Sequence, residues 1–224
     1  MTTPPISWRI LQIADSTFPT GGFAHSAGLE AAMHLGEAST PDRLEAYTCA
    51  LLWTTGNASL PFVAGAYDRP AEVWTLDARV DALLTNHVAN RASRTQGRAF
   101  VATCARVFGD PVLASLGAQS RTRDVTAHLA PVLGASLAAL SIERRDALAL
   151  HLYLTLRGVA SAAIRLGIVG PYEAQRLQQR HAATMDAVLE RCSGLRPADA
   201  ATTAPLLDVF GATHDRLYAR LFQS

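Results

Sequence analysis

Three groups of residues in this chain have the types and spacing to do chemistry. Ala24-His25-Ser26-Ala27-Gly28 differs in its first position from the G-x-S-x-G elbow, where a serine stands on a sharp strand-to-helix turn with its hydroxyl exposed. Acyl transfer through Ser26 is the chemistry such an elbow supports. Arg91, Arg94 and Arg98 fall at i, i+3 and i+7, one face of a helix, with no acidic residue between Asp81 and Asp110. Guanidinium groups so placed take carboxylates in forked pairs, so this face reads as a docking patch for an acidic partner. The seven histidines (25, 34, 87, 128, 151, 181 and 214) include no i, i+3 or i, i+4 pair and no cysteine neighbour. Helical metal sites use such spacings, so a transition-metal site within one chain is unsupported, and a metal shared across a dimer axis is the arrangement left open.

The elbow reading also requires a strand before the serine. Ser16 to Gly22 holds a proline and two glycines with no apolar alternation, and no βα alternation runs through the chain. A serine hydrolase centred on Ser26 is therefore the secondary reading. The stretch Asp15–Glu30, DSTFPTGGFAHSAGLE, reads instead as a rigid bend. Pro19 fixes its φ, Gly21 and Gly22 permit a sharp reversal, and Phe18 and Phe23 anchor it on apolar surface. Such a loop would display His25 and Ser26 for binding.

Composition narrows the function classes. The chain has 224 residues, 49% of them hydrophobic, and a net charge of +1, so it is globular with no overall attraction to nucleic acid or anionic membrane. All the basic residues other than histidine are arginine; there is no lysine. That excludes a Walker A phosphate loop and Schiff-base chemistry by this chain alone. Cys49, Cys104 and Cys192 are scattered, without C-x-x-C, which fits a reducing cytosol. The opening MTTPPISWRI lacks a basic region followed by an apolar run, so no secretory leader is expected. The most apolar region, Ala147–Val169, is interrupted by His151, Arg157 and Arg165 and reads as a buried helix.

The elements that must position these groups are helices. Alanine and leucine dominate, and β-branched clusters are few. Helices are expected over Ile6–Ala14, Ala27–Leu35, Pro41–Leu52 behind a Thr40 cap, and Leu60–Ala66. Further helices are expected over Leu76–Phe108 as the longest, Val112–Gly117, Val125–Leu140, from a Ser141 cap toward Arg157, and Tyr172–Cys192. Gly97 inside the longest helix suggests the close approach of another backbone. Leu148, Leu150, Leu152, Leu154 and Leu156 alternate with a strand period, but leucine and alanine favour a helix buried on more than one side. The fold class is all-α, one domain over residues 1–224 built as a bundle of eight to ten helices. Residues 198–224 form a loop and a C-terminal tail. That tail mixes Asp208, His214, Asp215, Arg216 and Arg220 with apolar residues and closes on Leu221-Phe222. Ordering it costs roughly 1–2 kcal/mol per residue, so it is expected to order against a partner.

Four stretches together resemble the urease accessory protein UreF family. Leu11–Glu30 is similar to that family's N-terminal signature, and Asn90–Phe100, NRASRTQGRAF, to its Ser-Arg-x-x-Gly helix. AHLAPVLG with YLTLRGVASAAIRLG is similar to its central portion, and HDRLYARLFQS to its Arg-Leu-Phe-x-Ser ending. The resemblance implies a homodimeric all-α scaffold in the cytoplasm, with no catalysis and no cofactor of its own. It implies a complex with UreD (also called UreH) and the GTPase UreG that delivers nickel to apo-urease, so that nickel and GTP are handled by partners. Under it, Pro19, Gly21, Gly22, Phe23, His25, Ser26 and Glu30, with Arg91, Arg94 and Arg98, would meet the GTPase and the dimer mate. Tyr218, Arg220, Leu221, Phe222 and Ser224 would dock on UreD. The chain departs from the commoner bacterial signature at Thr20, where that signature has valine, and at Ala24-His25-Ser26, where it has Ser-Tyr-Ser. An imidazole there makes the contact sensitive to pH near neutrality.

Overall fold

The computed structural model describes residues 7–224. It is all-α, with no strand among the described residues. The helices are α1 (Trp8–Ala14), α2 (Leu29–His34), α3 (Pro41–Thr54), α4 (Leu60–Asp68), α5 (Val73–Leu83), α6 (His87–Phe108), α7 (Pro111–Gln119), α8 (Leu129–Ala139), α9 (Arg144–Arg165), α10 (Pro171–Arg180), α11 (Ala182–Cys192) and α12 (Pro205–Ala212). One π turn, Thr55–Ser59, joins α3 to α4. The start of the first expected helix, Ile6, lies outside the described residues.

Local chemistry sets many of the boundaries. Thr40 accepts a hydrogen bond from the Arg43 N–H with Pro41 at the first helical position, and Asp110 accepts from Val112 and Leu113 ahead of α7. Four sequence expectations change. The helix expected over Leu76–Phe108 is two. Asn86 caps α6 by accepting from Val88 and Ala89, and its Nδ2 donates to the Asp208 carbonyl, 2.9 Å away, so the break is held from outside. The helix expected over Tyr172–Cys192 breaks at His181. Its two halves serve different cores: Leu177 joins one apolar cluster, whereas Val188, Leu189 and Cys192 join the other. Val125–His128 is not helical. The buried Asp77 carboxylate accepts from the Thr126 hydroxyl and from the N–H groups of Thr126, Ala127 and His128, with Ala127 at φ 59° in the left-handed region. The alternating leucines lie in α9, which starts after Glu143 rather than Ser141 and runs past Arg157 to Arg165. Leu148, Leu150, Leu152 and Leu156 are all buried. By length and composition α9 could cross a membrane, but more than half of its apolar stretch is buried within this fold.

The larger core gathers α4, α6, α8 and α9 around Phe62, Val63, Phe100, Leu133, Leu148 and Leu152. Small residues let these helices touch. A Cβ on Gly97 of α6 would lie 2.0 Å from the Ala127 carbonyl oxygen, so the expected close backbone is that of the Val125–His128 segment. The smaller core joins Leu29, Leu44, Tyr47, Val159, Ala163 and Leu177, and its last member is Phe222 from the C-terminal tail.

Candidate partner-binding site

The Asp15–Glu30 bend is tied down at both shoulders. The Asp15 carboxylate accepts from the N–H and hydroxyl of Thr17. Phe18 is buried against Phe100 and Phe108, with ring centroids 6.4 and 6.2 Å apart. Thr103 on α6 donates to the Pro19 carbonyl at 2.8 Å. Gly21 then takes φ 74°, a conformation open to glycine, and starts a 3-10 turn, Gly22–Ala24. This turn leaves Phe23 70% exposed.

The bend does not display His25 and Ser26 as expected. Both are buried, because the C-terminal tail lies over them. The Gln223 N–H donates to the Ala24 carbonyl at 2.8 Å, and the Ser26 N–H donates to the Ser224 carbonyl at 2.7 Å. The Ser26 hydroxyl donates to that same carbonyl at 2.8 Å, and His25 Nδ1 is hydrogen-bonded to the Ser224 hydroxyl at 2.6 Å. Burial, then the nearby Arg91 and His214 charges, lowers the pKa of His25. Ser26, 1% exposed, therefore has a covered hydroxyl, no preceding strand, and His25 turned to a different serine. The elbow geometry is absent.

Glu30 is the centre of the assembly. It is 2% exposed at the start of α2, and its carboxylate accepts from the Leu221 N–H at 2.6 Å, the Phe222 N–H at 3.1 Å and His214 Nε2 at 2.9 Å. Arg165 of α9 lies between the rings of Phe23 and Phe222, 3.9 and 4.1 Å from their centroids, and donates to the Phe23 carbonyl. The tail expected to order on a partner is thus seated on this chain. Its missing apolar cover is the smaller core, and its backbone donors meet a buried carboxylate. Tyr218 and Leu221 remain exposed.

Arg91 joins the same assembly. It grips Asp215 with two hydrogen bonds of 3.1 and 2.8 Å, and Arg220 and His87 each approach that carboxylate at 3.2 Å. The hydrogen bonds from Arg91 lead in holding the Asp215 carboxyl down at about 2. Arg94 and Arg98 continue the face along α6 away from the tail. Glu30, His214, Asp215 and Arg165 carry much of the geometry. Of these, the sequence reading singled out only Glu30 as a site residue and missed how it acts. One signal was available: Glu30 is the only charged residue in Ala27–Met33.

Beneath the bend, between α3, α6 and α9, is a mostly apolar cavity of about 480 Å³. Ser93 on its wall is hydrogen-bonded to His128 Nδ1 at 3.1 Å, and His128 Nε2 to Asp81 at 3.0 Å. Ser93 Oγ also accepts the Leu129 N–H, so this chain of groups ties α5 and α6 to the start of α8. Among the described residues, no three His, Cys, Asp or Glu side chains gather in a way that could hold a metal ion.

Comparison with known proteins gives a consistent picture. The UreF family model matches residues 38–182. Urease accessory protein F of Arabidopsis thaliana is 40% identical over 227 residues, covering 98% of this chain and 93% of the relative. The protein of that name from Oryza sativa subsp. indica is 35% identical over 221 residues, covering 96% and 84%. Urease accessory protein UreF of Mycobacterium tuberculosis (strain ATCC 25618 / H37Rv) is 32% identical over 217 residues, covering 96% and 97%. The family model thus stops short of the bend and the tail, whereas these relatives match over nearly the whole chain.

Proposed function

The chain belongs to the UreF family of urease accessory proteins, and from that premise we propose that it acts as a non-catalytic scaffold in the assembly of the urease nickel centre. It joins UreD (UreH) to the GTPase UreG, modulates the GTPase, and supports nickel delivery to apo-urease in the cytoplasm. Nickel and GTP are held by the partners, and the scaffold works as a homodimer. The observation that carries the reading is the joint unit of bend and tail. Glu30 and Ser26 hold the last four residues against the loop, while Phe23, Tyr218 and Leu221 stay exposed around them. Exposed aromatic and apolar side chains on an anchored backbone are what a protein interface uses as its central contacts.

In this reading the tail face, with Tyr218, Arg220 and Leu221, meets UreD. The bend and the Arg91–Arg98 face meet UreG and the dimer mate. Co-expression with tagged UreD tests it. Tyr218→Ala with Leu221→Ala removes only exposed side chains, so helical circular dichroism stays intact while UreD capture falls at least tenfold. Deleting Leu221–Ser224 abolishes capture. Capture of UreD at full affinity by both variants would overturn the assignment of the tail.

A further inference from the structure

Building on the scaffold reading, we propose that the face of α6 carrying Arg94 and Arg98 docks an acidic segment of a partner protein, with Asp215 of this chain holding the adjacent Arg91 in reserve. The structure already contains a worked example of the contact. Asp215 is gripped by both terminal nitrogens of Arg91, at 3.1 and 2.8 Å, with Arg220 and His87 at 3.2 Å. This surface therefore takes a carboxylate in the forked geometry that arginine favours.

Farther along the helix the same surface is unfilled. Among the described residues neither Arg94 nor Arg98 is paired with a carboxylate, and Arg98 reaches only the Val125 carbonyl, at 3.4 Å. With Arg91 they line a shallow hollow beside His87 and Asn90. One carboxylate, Asp81, faces this hollow, and it is engaged by His128 Nε2 at 3.0 Å and Asn90 Nδ2 at 2.9 Å. The surface thus holds four guanidinium groups (Arg91, Arg94, Arg98 and Arg220) against two carboxylates that already have partners.

The spacing argues for an acidic protein segment. Arg94 and Arg98 stand one helical turn apart, about 6 Å between Cβ atoms. That matches carboxylates one turn apart on a partner helix or two residues apart on a strand. The charge is local, because the whole chain carries only +1, which does not suit a long polyanion such as nucleic acid. Asp215 also lies in the turn that leads into the tail. A partner carboxylate that takes over Arg91 releases that turn, so acidic docking and the seating of the tail are linked, each altering the other by the same factor.

The test uses the full chain and fluorescein-labelled hexaglutamate, read by anisotropy at low salt, with hexaglutamine as control. Hexaglutamate is expected to bind, and to weaken steeply with added salt. Arg94→Ala with Arg98→Ala weakens it at least tenfold with unchanged circular dichroism, and Asp215→Asn strengthens it severalfold by freeing Arg91. Equal binding of hexaglutamine, preference for a thymidine hexanucleotide, or undiminished affinity in the double variant overturns the docking surface. Affinity that fails to rise in Asp215→Asn overturns the reserve role. The scaffold reading fails separately: loss of UreD and UreG capture with hexaglutamate binding intact sinks that reading and leaves this one standing.

Discussion

Glu30 is the position where a single change should report most clearly on how the tail is held. Its carboxylate accepts two backbone N–H groups and one imidazole in a site sealed from water. Glu30→Ala removes all three acceptor contacts and leaves the Leu221 and Phe222 donors unpaired if the tail stays docked. Hydrogen bonds to a charged acceptor contribute about 1.5–3 kcal/mol each, and removing one partner of a buried charged cluster costs about 3–5 kcal/mol. Against that, the seated Phe222 ring contributes about 1.5–3 kcal/mol. The loss exceeds what the ring supplies, so the tail should lift off as a local opening while the α4–α8–α9 core remains folded. At tenfold per 1.4 kcal/mol, exchange of the Leu221 and Phe222 amides should accelerate roughly 10²- to 10⁴-fold. The Val159 amide, within α9, serves as the control and should exchange at its former rate. Glu30→Gln keeps one oxygen acceptor and should fall between. Hydrogen exchange read by NMR decides the matter. Tail amides that keep their protection within threefold in Glu30→Ala would show that the ring and the Ser26–Ser224 contacts hold the tail and that Glu30 does not.

Three further outcomes follow from the same geometry. Gly97→Ala should destabilise the fold by about 3 kcal/mol despite the better helix propensity of alanine, since its Cβ would collide with the Ala127 carbonyl; a raised denaturation midpoint would refute this. Asp77→Ala, which strands four donors at Thr126–His128, should cost about 3–5 kcal/mol in urea unfolding, and a change below about 1 kcal/mol would contradict the pinning role. Burial pushes His151 down to about 4, so between pH 6.5 and 4 the unfolded chain binds a proton that the native state does not, and stability falls as pH falls through that window. His25, His128 and His181 are lowered too, in each case chiefly by burial, and add with the same sign. In His151→Gln the loss of stability between pH 6.5 and 5 should shrink by about 1.6 kcal/mol, and an unchanged loss would remove His151 from the account.

The parts of the fold that were legible in the sequence are those set by short-range chemistry. Thr40 caps a helix that Pro41 starts, and the composition settles the helical class. The alternating leucines were also resolved correctly, because helix propensity outweighed a period that lacked β-branched support. The failures share a cause. Asn86 caps α6 inside a continuous helical pattern with no glycine or proline to mark it, and its amide nitrogen donates to Asp208, 122 positions away. Val125–His128 reads as helix until Asp77, about 50 positions earlier, offers its N–H groups a better acceptor. The Arg91 face reads as free of acids because the acid that pairs with it, Asp215, stands 124 positions later in the chain.

The candidate site shows the same division and adds a point of mechanism. The bend itself was readable from Pro19, Gly21 and Gly22, but its cover was not. α2 has six residues and the docked residues 217–224 have no regular structure, so neither is stable alone. One residue, Glu30, joins them. Glu30 lies in the first turn of α2, where its own N–H donates to Ser26 Oγ at 3.4 Å, and the same residue accepts from the tail. Ser26 in turn donates to Ser224. Any partner that draws out the last four residues must therefore unpair both Glu30 and Ser26. The same residues also touch the bend, since the Gln223 N–H donates to the Ala24 carbonyl and Arg165 lies against both Phe23 and Phe222.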